Sequence, residues 1–549
     1  MSLSYIDQAC SIYCEGPVLQ AVQLAQIYND SKTFVDMPMK YDPNVTLAAF
    51  NNITDPSNKQ QLENYLNEYF LPAGSDLNDW VPTDFNNQPA FLDSITDKNY
   101  QSWASDINQL WLTLGREVNL SVHENPQRHS FLPRNYPMIV PGGRFRESYY
   151  WDSWWIVRGL LVCDMNSTAL NVINNLLDDV NTFGFVPNGG RIYYLDRSQP
   201  PLLSEMVVSY KDYMIEKYGE TDSIKTFLTN ACATLLLEYS FWMNESLGHC
   251  VTMPTTSTGS SPPTYKLNRY YSNYTTPRPE SYLQDYDNAH ASTQGLAGYY
   301  QQVRAGAETG WDFSSRWISA SSGSSSGGSY NITNIHTNEV VPIDLNSIMY
   351  RFELNLASLA TTLASWEQED TITTTAGTAT TSTADSYITQ AETFTQAATN
   401  RSAAINSYLW DAGGKHWRDY NLTSLQWTHN SETLQQVSMQ SRRNNGGIRT
   451  TTATTAGTGT TTVLDTVSYA SVAYWVPMWA GLLPADGSSA DDIVASLQTS
   501  GILQPGGVLT STVNTGQQWD APNAWPPEVL LTIEGLQKLN TPNSNSLAV

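Results

Sequence analysis

Hydrophobic residues repeat at helical spacing through most of this chain, and no other sequence feature constrains its fold more strongly. Residues 223–243 are nearly apolar around their centre, as in a helix that is buried on most sides. In 344–366, five apolar residues recur at intervals of three or four and so share one helix face: Ile348, Phe352, Leu356, Leu359 and Leu363. Strand-like alternation is scarce and short. The pattern therefore predicts an all-α fold. Further helices are predicted at 18–28, 57–70, 100–117, 152–162, 168–180, 203–217, 386–410, 466–483 and 490–500.

Three low-complexity stretches interrupt the helical pattern. They are SASSGSSSGG at 319–328, TITTTAGTATTSTADS at 371–386 and TTTATTAGTGTTT at 450–462. Such small polar residues bury too little apolar surface to order themselves, which predicts Ser/Thr/Gly-rich loop insertions. Each stretch lies between periodic segments, so we expect one domain over residues 1–549.

The charge of the chain excludes several classes of partner. Lys and Arg number 28 against 52 Asp and Glu, a net charge of −24, whereas nucleic acids and anionic membranes are bound by basic patches. No run approaches 18 apolar residues, so no membrane span is expected. Aromatic residues make up 11% of the chain, with 17 Trp and 31 Tyr, and their ring faces suit both cores and sugar subsites.

Cysteines and sequons bear on the compartment. The five cysteines have no spacing that indicates a zinc site, so no metal is expected, and Cys10 and Cys14 are close enough for one local disulfide. The N-x-[ST] sequons, such as those at Asn44 and Asn119, together with the acidic composition favour a secreted or vacuolar protein over a cytoplasmic one. The opening MSLSYIDQACSIYCEG shows no signal peptide.

The segment PGGRFRESYYWDSWW, residues 141–155, has the composition of a sugar-binding loop. Pro-Gly-Gly permits close approach of the backbone to a ligand. Arg144 and Glu147 can bind sugar hydroxyls, while the rings of Tyr149 and Trp151 can cover the apolar face of a pyranose. The alternative is a structural cluster, in which the aromatic residues form a core and the Arg–Glu pair holds the loop.

Two later segments repeat this combination of residues. PNGGRIYYLDRSQPP, 187–201, supplies polar groups from four residues, and PRPESYLQD, 277–285, presents an Arg and a Glu on a loop stiffened by two prolines. Each segment is weak alone, but the recurrence of Arg beside a carboxamide or carboxylate in Pro/Gly-rich loops supports a binding site. The residues are Asn188, Arg191, Arg197, Gln199, Arg278 and Glu280.

Two further segments carry a carboxyl group beside aromatic residues. In AETGWDFSSRW, 307–317, Asp312 follows Trp311, and a partly desolvated carboxyl has a raised pKa that suits a general acid. The alternative is an aspartate that caps the next helix. QQWDAPNAWPP, 517–527, offers Trp519 and Asp520 between turn-forming residues.

In their residues and in their order along the chain, these segments resemble the motifs of the α,α-trehalase family, glycoside hydrolase family 37. PGGRFRESYYWDS and QQWDAPNAWPP are similar to its two signatures. DSKTFVDMP (30–38), VPIDLN (341–346) and the three segments described above are similar to intermediate motifs, so the resemblance runs from about residue 10 to about 535. It implies an (α/α)6 barrel, hydrolysis of α,α-trehalose to two glucose molecules with inversion, and no cofactor.

The resemblance also implies roles for individual residues. Asp312 matches the general acid, with the backbone of Gly310 beside it, and Trp519 would form part of the wall of a glucose subsite. The remaining substrate-binding positions implied are Arg144, Phe145, Tyr149, Trp151, Asp152, Asn188, Arg197, Ser198, Gln199, Arg278, Pro279 and Glu280.

The family's second catalytic carboxylate has no counterpart in this sequence. The resemblance implies a Glu-bearing motif such as E-G-F-G-W several tens of residues after the second signature, whereas 22 residues follow Pro527. The general base and the last helices of the barrel are therefore expected to be absent from this sequence, and an early C-terminal stop would account for both. Two alternatives to a trehalase remain: a catalytically impaired trehalose-binding protein, and a helical toroid that acts on another saccharide.

Overall fold

The computed structural model describes residues 3–254, 264–320, 330–373, 381–429 and 469–548. The chain divides into two compact units. The first comprises Met1–Cys250, Tyr271–Gly310 and Ile348–Thr399, and the second comprises Val251–Tyr270, Trp311–Ser347 and Asn400–Val549. Among the described residues, no helix is both long enough and apolar enough to cross a membrane.

The first unit is built from α-helices and one small sheet. The sheet has three antiparallel strands, Leu77–Asp79, Gly115–Val118 and Met138–Ile139, with Leu77 opposite Val118 and Gly115 opposite Ile139. The helices are Ser4–Tyr13, Pro17–Leu24, Lys32–Val35, Pro43–Phe50, Lys59–Tyr69, Lys98–Gln109, Trp111–Leu114, Leu120–Glu124, Asp152–Val162, Asn166–Phe183, Leu203–Tyr218, Asp222–Met243, Tyr282–Ala291, Gly295–Glu308 and most of Ile343–Thr373 and Thr381–Tyr408.

The second unit combines short strand pairs with fewer helices. Within the described ranges it contains one end of each of the long helices Ile343–Thr373 and Thr381–Tyr408. It also contains four complete α-helices: Val476–Ala480, Ala490–Thr499, Pro526–Leu539 and Pro542–Ala548. Four described strand pairs lie in or at the edge of this unit: Cys250–Thr252 with Lys266–Asn268, Ile318–Ala320 with Tyr330–Ile335, Trp410–Asp411 with His416–Trp417, and Leu503–Gln504 with Gly507–Val508. A three-stranded antiparallel sheet has Tyr420–Asn421 between Val340–Val341 and Gln426–Trp427.

Local sequence explains where several helices begin and end. Thr221 caps Asp222–Met243 by accepting a hydrogen bond from the Ile224 amide, and Ser489 forms a capping box with Asp492 at the start of Ala490–Thr499. Asn166–Phe183 ends at Gly184, which adopts the left-handed conformation with φ of 83°. These capping residues satisfy backbone groups that the helix itself leaves without partners.

Most of the predicted helices are present, and the apolar face of the longest is buried. Phe352, Leu356 and Leu359 are fully buried in Ile343–Thr373. The helix predicted at 466–483 is wrong, since the described part contains a 3-10 turn, Val472–Trp475, followed by only five α-helical residues. The helix predicted at 100–117 ends at Leu114, because the chain then enters the central strand of the sheet.

Of the three low-complexity stretches, 319–328 and 450–462 lie largely or wholly outside the described residues, whereas more than half of 371–386 is described. Helices extend into both ends of 371–386, reaching Thr373 and restarting at Thr381. The strand Ile318–Ala320 includes the first two residues of 319–328. The stretch 450–462 lies wholly outside the described residues.

Candidate active site

In the first unit, the loops 141–155 and 187–201 are joined along their backbones. Tyr149 pairs with Gly189 in an antiparallel bridge, and the Gly190 amide donates to the Ser148 carbonyl at 2.9 Å. The Tyr150 amide donates to the Asn188 carbonyl at 3.2 Å. The two segments that the sequence predicts as binding loops therefore form one continuous structure.

A glutamine side chain adds a further link between these loops. The Trp151 amide donates to Oε1 of Gln199 at 3.1 Å, and the Asn188 amide donates to the Arg197 carbonyl at 3.0 Å. All four of these residues are buried. Trp151, Asn188, Arg197 and Gln199, each predicted as a binding residue, thus lie together.

Behind the first signature lies a group of buried charges, which we call the Glu147 cluster: Glu147, Lys32, Asp36, Arg191 and Asp76. Nζ of Lys32 lies 2.6 Å from Oε1 of Glu147 and 2.7 Å from Oδ2 of Asp36. Arg191 contacts Oε2 of Glu147 and Oδ1 of Asp36, each at 3.1 Å, and Oδ2 of Asp76 at 3.2 Å. Isolated buried charges are costly, so the cluster depends on this mutual pairing.

Burial and charge act in opposite directions on the carboxyl groups of the Glu147 cluster. Burial raises the pKa of Glu147, but Lys32 and Arg191 outweigh it and lower that pKa to about 2. Burial raises the pKa of Asp36, and the two cations offset this only in part. The Tyr149 hydroxyl donates a short hydrogen bond to Glu147 and lies 2.8 Å from the Tyr194 hydroxyl. The charges therefore position a predicted sugar-binding ring.

The outer part of the first signature is more exposed. Arg144 makes a two-pronged ion pair with Asp30, with distances of 2.7 and 2.6 Å, and its guanidinium lies 5.2 Å from the ring centre of Phe145. The Phe145 side chain is 41% exposed. Asp152 begins the helix Asp152–Val162.

The segment PRPESY contributes a second buried ion pair. Nη2 of Arg197 lies 2.7 Å from Oε1 of Glu280, and both side chains are buried. Arg278 is occupied differently, since its Nε and Nη2 contact the two carboxylate oxygens of Asp285 at 2.8 and 2.7 Å. Asp285 is therefore a positioning group for Arg278 that the sequence analysis did not single out. Pro279 lies at the first position of a 3-10 turn and accepts a hydrogen bond from Gln23 at 3.3 Å.

A buried carboxylate at the end of Gly295–Glu308 holds the loop of Ser198. Glu308 accepts hydrogen bonds from the Ser198 amide at 2.9 Å, from the Tyr271 amide at 2.9 Å and from Nε2 of His249 at 3.0 Å. It is fully buried. Apart from the position of Glu308 in the segment 307–317, no sequence pattern indicated this role.

Gly310 approaches the ring of Trp151 so closely that no side chain would fit. Its φ is +74°, and a Cβ atom at Gly310 would lie 2.6 Å from Cε2 of Trp151. Both conditions require glycine at this position. The contact places Gly310 against the first signature.

In the second unit, the chain around Asp312 lies against the second signature. The Trp519 amide donates to the Phe313 carbonyl at 2.9 Å, and the Trp311 and Trp519 rings are 5.2 Å apart. The Trp519 ring also stacks on that of Trp525 at 4.7 Å with an interplanar angle of 12°. The structure thus places Asp312 and Trp519, two of the predicted site residues, in the same neighbourhood.

Asp520, next to Trp519, receives five hydrogen bonds in a fully buried position. The donors are the Ser314 hydroxyl at 3.0 Å, the Ser315 amide at 2.8 Å and hydroxyl at 2.7 Å, the Ser511 hydroxyl at 2.7 Å, and a short contact from the Thr515 hydroxyl. Burial raises the pKa of Asp520 above its usual value, and the hydrogen bonds from Thr515, Ser315 and Ser511 offset that rise only in part. Each of these donors points at an oxygen of Asp520, and the oxygens of an ionised carboxylate can only accept hydrogen bonds.

The end of the same segment carries a buried arginine. Arg316 contacts Asp344 at 2.6 Å and Asp419 at 2.6 and 2.8 Å. Glu528, at the start of Pro526–Leu539, is buried, and neither of its carboxyl oxygens has a hydrogen-bond partner within the described ranges. Burial, assisted by the negative charge of Asp344, raises the pKa of Glu528 to about 8. Glu528 is therefore a neutral acid over most of the physiological range.

Neither unit presents a metal site among the residues that the structure describes, where no group of three or more His, Cys, Asp or Glu side chains is arranged to hold an ion. The predicted disulfide between Cys10 and Cys14 is formed. The other three cysteines, Cys163, Cys232 and Cys250, are buried thiols.

The chain is similar to known proteins over nearly its whole length. A family model described as Trehalase matches residues 26–548. A trehalase from Oryctolagus cuniculus is 35% identical over 98% of this chain and 80% of its own length. One from Dictyostelium discoideum is 36% identical over 98% of this chain and 79% of its own length.

The chain belongs to the trehalase family, and thus to the glycoside hydrolases. Among solved structures, the neutral trehalase Nth1 from Saccharomyces cerevisiae matches with a TM-score of 0.50 and 22% identity, over 74% of this chain and 64% of that one. This likeness in fold agrees with the all-α class and the (α/α)6 barrel that the resemblance implied.

Proposed function

We propose that this protein hydrolyses α,α-trehalose to two glucose molecules, with inversion at the cleaved anomeric carbon. The observation that carries the proposal is the convergence in the first unit of three family segments on one buried set of polar groups. Gln199 binds the backbone of Trp151, and Arg197 pairs with Glu280 beside them. Arg and carboxylate groups held by one another at fixed positions are suited to bind the hydroxyls of a small neutral sugar.

Asp312 is proposed as the general acid that protonates the glycosidic oxygen as the bond to the anomeric carbon breaks. In an inverting glycosidase, a second carboxylate activates water on the opposite face of the sugar ring. We assign that base to no residue of this sequence. Arg144, Phe145, Tyr149, Trp151, Asp152, Asn188, Arg197, Ser198, Gln199, Arg278, Pro279, Glu280, Gly310 and Trp519 are proposed to bind the substrate.

The direct test is glucose release from trehalose by the purified chain, with the anomeric form of the first product followed by proton NMR. Equal initial amounts of α- and β-glucose are expected, since inversion converts one half of the substrate and leaves the other unchanged. Release of α-glucose alone would contradict inversion. Trehalose binding by calorimetry without turnover would instead support the trehalose-binding alternative.

The proposed general acid is tested by Asp312→Asn, with Asp491→Asn as an exposed control in the same unit. Because general acid catalysis contributes about 10²- to 10⁴-fold, kcat should fall by at least about 10²-fold while trehalose affinity stays within a few-fold. The control should retain normal turnover. Near-normal kcat in Asp312→Asn would exclude the assignment.

We also propose a secreted or vacuolar location. The sequons and the formed Cys10–Cys14 disulfide support it, since disulfides persist in oxidising compartments. Glycosidase-sensitive mobility of the natural protein on a gel would test it.

A further inference from the structure

Four residues next to Asp312 in the chain contact the second signature. Each of them contacts one of two consecutive residues there. Trp311 and Phe313 contact Trp519, through the ring pair at 5.2 Å and the backbone hydrogen bond at 2.9 Å. The next two residues of the chain, Ser314 and Ser315, supply three of the five hydrogen bonds that Asp520 receives.

The chain between Gly310 and Ser314 has no α-helical or strand residues. Its position therefore depends on contacts made from outside the segment. The Ser315 amide at 2.8 Å fixes the backbone, because an amide N–H cannot rotate toward another acceptor as a hydroxyl can.

Two other features favour a positioning role for Asp520 over a merely structural one. A buried carboxylate is costly unless its donors compensate it, and most of the donors here come from the residues just after Asp312. Ser511 and Thr515 supply the other two. The carboxylate thus ties the segment of Asp312 to the loop that precedes the second signature.

We propose that Asp520 is a positioning residue for Asp312: by binding Ser314 and Ser315 it holds the Asp312 carboxyl where it can protonate the glycosidic oxygen. The inference rests on the proposed function of Asp312 as general acid. Asp520 itself forms no bond to the substrate in this proposal. Its loss can therefore cost no more than the loss of Asp312, which bounds the effect at about 10²- to 10⁴-fold in kcat.

The test uses two substrates of unequal dependence on the acid. The leaving oxygen of trehalose must be protonated before it departs. In the second substrate, α-glucosyl fluoride, the leaving group is a fluoride ion, which departs without being protonated. We expect Asp520→Asn to lower kcat for trehalose by about 10²-fold, the usual effect of misplacing a catalytic group by 1 Å, and kcat for the fluoride by less than about threefold. Equal losses on both substrates would refute the positioning role, since general damage to the site would affect both.

A matched pair of serine variants distinguishes the contacts of Asp520 with the segment of Asp312 from its contacts with the rest of its surroundings. Ser315 and Ser511 are both fully buried, and each donates its hydroxyl to Oδ1 of Asp520 at 2.7 Å. Ser315→Ala should lower kcat for trehalose, while Ser511→Ala should leave it within about twofold and destabilise the protein to a similar degree. Equal kcat losses in the two variants would contradict the proposal.

A double variant asks whether the two aspartates act through one another. In the Asp312→Asn background, Asp520→Asn should cause no further loss of kcat, because groups that act as a unit are not additive. A further loss equal to that seen in the wild-type background would overturn the inference. Normal trehalose turnover by Asp312→Asn alone would instead refute the proposed function.

Hydrogen exchange gives a readout that does not need turnover. In Asp520→Asn, peptides covering 311–317 should exchange at least about tenfold faster, as expected for loss of hydrogen bonds to a charged acceptor. Peptides of the Asp491 region should be unchanged. If the wild-type chain hydrolyses neither substrate, this result decides: unchanged protection of 311–317 would overturn the inference.

Discussion

Replacing Glu147 by Gln tests whether the buried charges behind the first signature stabilise the folded protein. Glu147 faces Lys32 at 2.6 Å and Arg191 at 3.1 Å, and all three side chains are almost completely buried. Gln keeps the size of the side chain and removes its charge. The two cations would then face only the aspartates of the cluster.

The expected loss can be estimated in two ways. The pKa of Glu147 is lowered from 4.5 to about 2, and at ~1.4 kcal/mol per unit this corresponds to about 3 kcal/mol of stability at neutral pH. Removing one partner of a buried ion pair costs about 3–5 kcal/mol in other proteins. Both estimates indicate a loss of about 3 kcal/mol at pH 7.

The sign of the pH dependence follows from the lowered pKa. A lowered carboxyl pKa stabilises the fold above the unfolded value of 4.5 and loses that effect as the pH falls toward 2. Urea unfolding at pH 7 and at pH 3 should therefore show a large difference between wild type and Glu147→Gln at pH 7 and a much smaller one at pH 3. Exposed Glu117 provides the control, Glu117→Gln. A pH-independent difference, or a loss below about 1 kcal/mol at pH 7, would refute the reasoning.

Three further variants test other parts of the structure. In Glu308→Gln, the new side-chain NH2 group faces one of the three N–H donors that Glu308 accepts from, so that donor loses its acceptor. KM for trehalose should therefore rise about tenfold. The control is Glu353→Gln, which alters a buried carboxyl that binds a tyrosine and should leave KM unchanged. Arg197→Ala removes the partner of Glu280 and should weaken trehalose binding in calorimetry by about 10- to 100-fold, and unchanged affinity would exclude Arg197 from the site. Glu528 has a pKa raised to about 8, so its ionisation opposes folding: wild type should lose up to about 3 kcal/mol between pH 5 and 8, and Glu528→Gln should show no such loss in thermal unfolding followed by calorimetry.

The helices were largely predictable because their apolar residues recur at a period that only a helix satisfies. Asp222–Met243 and the helix containing Leu356 follow the predicted ranges 223–243 and 344–366. The failure at 466–483 has a physical reason. Residues 469–482 are almost all buried, so hydrophobicity there reflects burial on every side, and a periodic pattern cannot separate a short helix from a buried turn.

The family and the order of the segments with predicted sugar-binding and acid groups could be inferred from the sequence alone, since those depend on residue type and spacing along the chain. The contacts that hold these segments became apparent only in the folded chain. Glu308 binds Ser198, Asp285 binds Arg278, and Asp520 binds the segment after Asp312 across more than 200 residues of chain. Such partners are set by distance in space, and a buried carboxylate has no sequence signature that distinguishes it from an exposed one until its donors are known.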